Sequence, residues 1–289
     1  MSTRIQHDRR DLDMSGITAV EAATFNGDLT VETGSGPAWV DITVRGSAIL
    51  DIERIGDLLY IKASKKGFSF SGAEVNLHLR LPEELALKLA SVNGVISLRG
   101  AARKVEARLF SGAVRTNSTG RADLNVRVSS GRVDIVEAKG RVDVATSNGP
   151  VRVEGAGEGV HVATSNGPVD VVQANGNIHI TSSNGSIAIM DCVGEVQITS
   201  SHGDTAWERV TLAPHSRNWI KSSAGTVHIT GLRAPDGAQI RAKTAHLPIH
   251  IDLPEYDIEI HHSRLVATLA GAHPARLEVT TTRELHISA

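Results

Sequence analysis

The sequence predicts an all-β chain, a single-chain parallel β-solenoid (β-helix) of about 18 residues per coil, and three observations predict it. Glycines recur at Gly131, Gly149, Gly167, Gly185 and Gly203 in steps of 18 residues; Gly94 and Gly112 precede them, with one 19-residue step, and Gly225 follows after 22. Between the glycines, apolar and polar residues alternate with period two, the pattern of a strand with one buried face. Like residues also return at like positions: Asn148, Asn166 and Asn184 share one corner, preceded by Ser147, Ser165 and Ser183. Coils stacked at about 4.8 Å turn such recurrences into ladders. A unit this short cannot bury its apolar face alone, so the coils must stack.

Each coil reads as two short strands and two corners. In the coil that starts at Gly167, Pro168–Val171 alternates, Gln173–Gly176 turns, Asn177–Ile180 alternates again and Thr181–Gly185 turns back. Asn-Gly is also a hairpin signal, which makes an antiparallel barrel or sandwich the competing architecture. The fixed 18-residue identity favours direct stacking. A hexapeptide left-handed helix fits less well, because the apolar spacing is two and not six.

The elements follow in order. Residues 1–16 read as an N-terminal tail and 17–84 as irregular coils, with strands at Ala38–Ile42 and Val75–Leu81. Residues 85–232 read as regular coils, with an inserted loop at 207–217 that adds four residues to the period. Residues 233–289 read as a divergent cap, with strands near 249–253, 256–260, 264–269, 276–280 and 284–287. An irregular end is expected where a stack must cover its last apolar layer.

Composition narrows the function classes. Aromatics are 3 per cent of the chain, so the core is expected to be thin and aliphatic. Lys and Arg number 30 against 32 Asp and Glu, a formal charge of -2, which argues against nucleic acid as a partner. Cys192 is the sole cysteine, which excludes an intramolecular disulfide. The opening residues lack the apolar run of a signal peptide, and no apolar stretch is long enough to span a bilayer. The chain as written is therefore expected to be cytoplasmic and not inserted in a membrane; an envelope association would need a leader or anchor outside it.

Outward positions supply the candidate site residues. On the first strand of successive coils they read Ser97, Arg115, Asp134, Arg152, Asp170, Ala188, Ala206 and His228. The run Arg115, Asp134, Arg152, Asp170 alternates in sign, so unlike charges are expected to attract across coils and set register. On the second strand the series is Lys88, Glu106, Asn125, Asp143, His161, His179, Gln197 and Trp219. Asp143, His161 and His179 could offer a metal one carboxylate and two imidazoles, but a flat sheet converges them poorly, so no metal is expected. His246 and His250, either side of Pro248, read as surface residues. Trp207, Arg217 and Trp219, in or beside the inserted loop, are candidates for partner contact. No nucleophile motif, phosphate loop or paired-cysteine site is present, so neither catalysis nor a cofactor is expected. Cys192 falls among Ala138, Ala156 and Ala174 and reads as a small corner residue.

Val75–Leu81 with Pro82, then Leu85–Leu89, Ser91–Gly94, the Ser-Asn-Gly corners and Ser222–Val227 together resemble the DUF4097 family of bacterial β-strand-repeat proteins, often labelled adhesins. The likeness covers roughly residues 20–232. It implies a parallel β-solenoid of right-handed sense and no catalytic residues. The expected role is a scaffold or adhesin-like interaction protein that meets a protein or glycan, or associates with itself through its ends or an outward ladder. A glycan-binding or glycan-processing β-helix is the alternative.

Overall fold

A computed structural model of the chain describes residues 5–65, 73–245, 249–253 and 255–289. Among these residues the fold is all-β, with long, mostly parallel strand ladders and no helix that could cross a membrane. The chain divides into two compact units, Met1–Ala145 and Thr146–Ala289.

Unit 1 contains β1 (Ile5–Asp11), β2 (Ala19–Asn26), β3 (Leu29–Thr33), β4 (Trp39–Arg45), β5 (Ala48–Ile55), β6 (Leu58–Lys65), β7 (Glu74–Leu81), β8 (Ala86–Arg99), β9 (Lys104–Gly120) and β10 (Asp123–Ala138). The parallel registers Leu87↔Val105 and Leu124↔Val105 place like residues on like residues from β8 through β10. The segment expected to be a tail instead forms β1, which pairs antiparallel with β4. That pairing continues, also antiparallel, from β4 to β7. The strands β2 and β3 lie between β6–β7 and β8, although they precede both in the chain.

Unit 2 follows β11 (Val142–Asn148), the strand that contains the division point. Its regular repeats are β12 (Val151–Glu154), β13 (Val160–Asn166), β14 (Val169–Val172), β15 (Asn175–Asn184), β16 (Ile187–Met190), β17 (Val193–His202) and β18 (Thr205–Glu208). Then come β19 (Thr211–Leu212), β20 (Arg217–Ala224), β21 (Val227–Thr230), β22 (Ala238–Thr244), β23 (Ile249–Asp252), β24 (Asp257–His261), β25 (Arg264–Leu269), β26 (Ala275–Thr281) and β27 (Leu285–Ser288). Residues 18 apart pair in parallel: Val151↔Val169, Val169↔Ile187 and Ile187↔Thr205 on one strand, and Val160↔Ile178 and Ile178↔Val196 on the other. The divergent strands β23, β25 and β26 stand where the sequence suggested, and β24 and β27 one residue later. The strand β22 was not foreseen. β22–β25 and β25–β24 pair antiparallel, and β26–β27 lies between β20–β21 and β22–β23 despite following both in the chain.

Burial explains the period. Val151, Val153, Val169 and Val171 are fully buried while Arg152 and Asp170 between them face out. Full burial of each such side chain stabilises by about 1.5–3 kcal/mol. The glycine corner is set by backbone contact. Gly167, Gly185 and Gly203 have φ between 120° and 140°, and a Cβ on any of them would strike the carbonyl of the glycine one coil before. Asn184 Nδ2 donates to Asn166 Oδ1 (3.0 Å), and Asn166 Nδ2 to Asn148 Oδ1 (2.9 Å), so the asparagines form a hydrogen-bonded ladder outside that corner.

The opposite corner works differently. Gln173, Asp191 and Arg209 hold φ of 52–54° without being glycine, and Gly231 follows at 63°. Just inside this corner, Ala156, Ala174, Cys192, Val210 and Leu232 are all buried. The four extra residues of the inserted segment are absorbed at 213–216. There the buried Asn218 accepts from Val196 N through Oδ1 (2.7 Å) and donates through Nδ2 to Ser216 Oγ (2.8 Å) and the Arg276 carbonyl (3.1 Å). A side-chain amide thus replaces the backbone partner that the longer turn removes.

Candidate functional site

The outward face of β1, β4, β7, β3, β8, β9 and β10 in unit 1 gathers charged and aromatic groups. Register fixes one column as Asp41, His78, Thr30, Ser97, Arg115 and Asp134. The next column, two residues along, reads Trp39, Arg80, Glu32, Arg99 and Asn117. A cleft of about 450 Å³ opens over the β3–β10 part, lined by Glu32, Arg99, Arg115, Asn117 and Asp134 among others. A second concavity of about 390 Å³, lined by His7, Asp28, Asp41 and His78, shares Thr30 with it.

The two ends of this face differ electrostatically. At the β4–β7–β3 end, Glu32 takes Arg80 Nη1 at 3.3 Å and lies 3.7 Å from His78 Nε2. Trp39 meets the His78 ring edge-on at 5.0 Å and carries the Arg9 guanidinium 4.2 Å above its own face. At the β9–β10 end, Arg115 and Asp134 are register partners, yet their charges do not close to an ion pair; Asp134 pairs with Arg132 of its own strand at 3.7 Å. Arg99 and Arg115 are exposed and, among the described residues, in no ion pair. Their guanidiniums are available to a partner in the cleft.

The other expected site residues lie on later strands. Arg152 and Asp170 are register partners on β12 and β14, in unit 2, with Arg152 bonded to Glu154 at 2.8 Å. The pairs Arg152 to Glu154 and Arg132 to Asp134 each lie along a single strand. Asp143 is on β11, and His161 and His179 stand side by side on β13 and β15. Those rings meet edge to face at 5.2 Å, and His179 Nδ1 is taken by Gln197 Oε1 at 3.1 Å. Among the described residues no group of three His, Cys, Asp or Glu side chains is arranged to hold a metal ion. Arg217 is exposed at the start of β20, and Trp219 is half-buried with Lys221 Nζ 5.9 Å from its ring.

Trp207 is a correction. It is not a loop residue available to a partner but a fully buried core side chain on β18, in register with Ile189 and Ile229. It stands four residues after Gly203, the inward position held by Val171 after Gly167, so the period itself assigns it to the core. Cys192 matches its reading: it is buried, receives a hydrogen bond from Ala174 N at 3.4 Å, and burial pushes its thiol pKa up. A protonated, enclosed thiol is a poor nucleophile.

One constellation escaped the sequence. His228, His286 and His250 stand on β21, β27 and β23 as consecutive outward positions, with rings stacked at 4.7 and 4.5 Å and inclined by 14°. Glu284 lies 3.6 Å from His286. In chain order these residues are far apart, and only the insertion of β27 between β21 and β23 unites them. Parallel stacked rings aim their nitrogens alongside one another and do not converge on one point. His246 lies outside the described residues.

No protein-family model matches the chain, and no curated protein matches it. Solved structures similar to it include one described as a "putative cell adhesion protein" from Clostridium sporogenes, at 10% identity with 99% of each chain covered and a TM-score of 0.26. A "putative lipid binding protein" from Parabacteroides distasonis is similar at 12% identity, over 97% of this chain and 96% of that one, with a TM-score of 0.41. A "putative adhesin" from Parabacteroides merdae is similar at 12% identity, over 98% and 96%, with a TM-score of 0.34. At such TM-scores these likenesses carry no inference about ligand or partner.

Proposed function

We propose that the chain is a non-catalytic interaction protein, built as a parallel β-solenoid, that holds a polar partner against the outward face of unit 1. One observation carries the reading: the cleft of about 450 Å³ sets the exposed Arg99 and Arg115 beside Glu32 and Asp134 on strands locked in register. Rigid backbone fixes the spacing of these groups before a partner arrives, which lowers the ordering cost of binding. The arrangement suits recognition of a polymer with anionic groups between neutral ones. A glycan is favoured among such partners by the half-buried Trp39, an aromatic group on the same face with Arg80 opposite and Asp41 two residues along its strand. The test is a binding screen against acidic and neutral polysaccharides and surface proteins, with wild type and an Arg99→Glu/Arg115→Glu variant. A ligand retained by wild type and lost by the variant supports the reading. Undiminished binding by the variant overturns it.

A further inference from the structure

We infer that unit 1 carries a second interaction surface, an apolar plate framed by cations that docks on an anionic lipid surface. The plate lies at the glycine corner of β2, β8 and β9. Registers Thr24↔Ser91, Asn26↔Asn93 and Asn93↔Ser111 place Phe25, Val92 and Phe110 side by side. Phe110 is 64% exposed and Val92 48%, with Phe25 half-buried. Two residues earlier on β2 and β8, Ala23 and Ala90 extend the apolar patch. The same column continues as Lys62 on one side and as Arg108 and Arg127 on the other, all exposed.

The corner itself does not demand apolar residues. The corresponding positions in the later repeats are Ser129, Ser147, Ser165 and Ser183. Three adjacent strands therefore present Phe, Val and Phe where the fold accepts serine, in a chain with four phenylalanines in all. An exposed contiguous apolar patch with a charged rim is the signature of a contact surface.

The chemistry selects the occupant. Neither Phe25, Val92, Phe110, Ala23 nor Ala90 offers a side-chain hydrogen bond, so the plate cannot satisfy the hydroxyls of a sugar ring. Phe and aliphatic groups beside Lys and Arg are what an interfacial surface uses, with rings in the acyl boundary and cations at the headgroups. Arg108 and Arg127 are in no ion pair among the described residues, while Glu106, on the neighbouring column, is engaged by Lys104 at 2.9 Å. The cations can therefore face an anionic leaflet. This contact rests on a bilayer surface and spans nothing.

The experiment is vesicle co-sedimentation of the full chain, with phosphatidylcholine alone and with phosphatidylcholine containing phosphatidylglycerol. Wild type is expected to partition onto the anionic vesicles and to be released by high salt. Each cation near an anionic leaflet changes partitioning about five-fold, so Arg108→Glu/Arg127→Glu should lower it by at least about 25-fold. Val92→Ser/Phe110→Ser should lower it about ten-fold or more through lost apolar contact. Both pairs are exposed, and unchanged circular dichroism checks that the fold persists. Three results overturn the proposal: no sedimentation with anionic vesicles, sedimentation that both variants leave intact, or retention only on an acidic polysaccharide.

Discussion

Replacing Gly185 by alanine tests whether the coil repeat is held at its glycine corner by backbone contact. Gly185 has φ of 140°, and an added Cβ would collide with the Gly167 carbonyl oxygen and lie 2.6 Å from its carbon. A non-glycine residue in such a region costs about 1–3 kcal/mol in backbone strain. Relief of the collision requires the two repeats to separate, at the expense of bonds such as Gly167 N to Asn184 O (3.0 Å) and Val169 N to Ser186 O (2.9 Å). Loss of two buried backbone bonds adds about 2–3 kcal/mol, for a total of about 3–6 kcal/mol. Gly231 is the control in the same unit. Its φ is 63°, its Cβ would meet the flexible Arg209 side chain at 3.2 Å, and Gln173, Asp191 and Arg209 already tolerate that conformation one or more coils earlier. Gly231→Ala should cost about 1–2 kcal/mol. Urea unfolding followed by tryptophan emission separates the two, since Trp207 and Trp219 both lie in unit 2. Equal losses for the two variants, or a loss below about 1 kcal/mol for Gly185→Ala, would refute the backbone-contact account.

Trp207→Ala should destabilise by about 3–5 kcal/mol through the cavity it leaves. Trp207→Phe should cost far less, because the buried indole Nε1 has no hydrogen-bond partner among the described residues and phenylalanine removes it; chemical denaturation of both variants checks the contrast. The Asp191 carboxyl, held low by the Arg209 guanidinium bonding to it at 2.6 and 2.8 Å, supplies a pH test. A depressed carboxylate stabilises the fold above its unfolded pKa of about 3.9, and that contribution is lost as pH falls through its lower folded value. The stability difference between wild type and Arg209→Gln should therefore be constant near neutral pH and shrink below about pH 4, as thermal melts across that range will report.

The repeat was legible because it is written in the residues that make contact. Gly167 and Gly185 touch, Asn166 and Asn184 bond, and Val169 sits on Ile187, each pair 18 residues apart. Arg115 and Asp134 were legible as neighbours on an outward column for the same reason. The opposite corner was harder to read, since Gln173, Asp191 and Arg209 adopt left-handed backbone without the glycine that signals it. The Trp39 cluster and the histidine column were hidden more deeply. Trp39 reaches His78 through the antiparallel β4–β7 pair, and His286 reaches His228 and His250 because β27 is inserted between earlier strands. A periodic reading assumes that neighbours in space are successive in sequence, and both ends break that assumption.

The displaced order of these strands bears on how the molecule is made. Within unit 2, β22 and β23 leave the ribosome before β26 and β27, yet bond to their far side. A nascent chain released only as far as β25 holds a vacant lane between β20–β21 and β22–β23, with unpaired amides on both banks. Vectorial growth, strand upon strand, therefore carries this unit only to β21; the strands beyond it reach their places only once β26 and β27 have emerged.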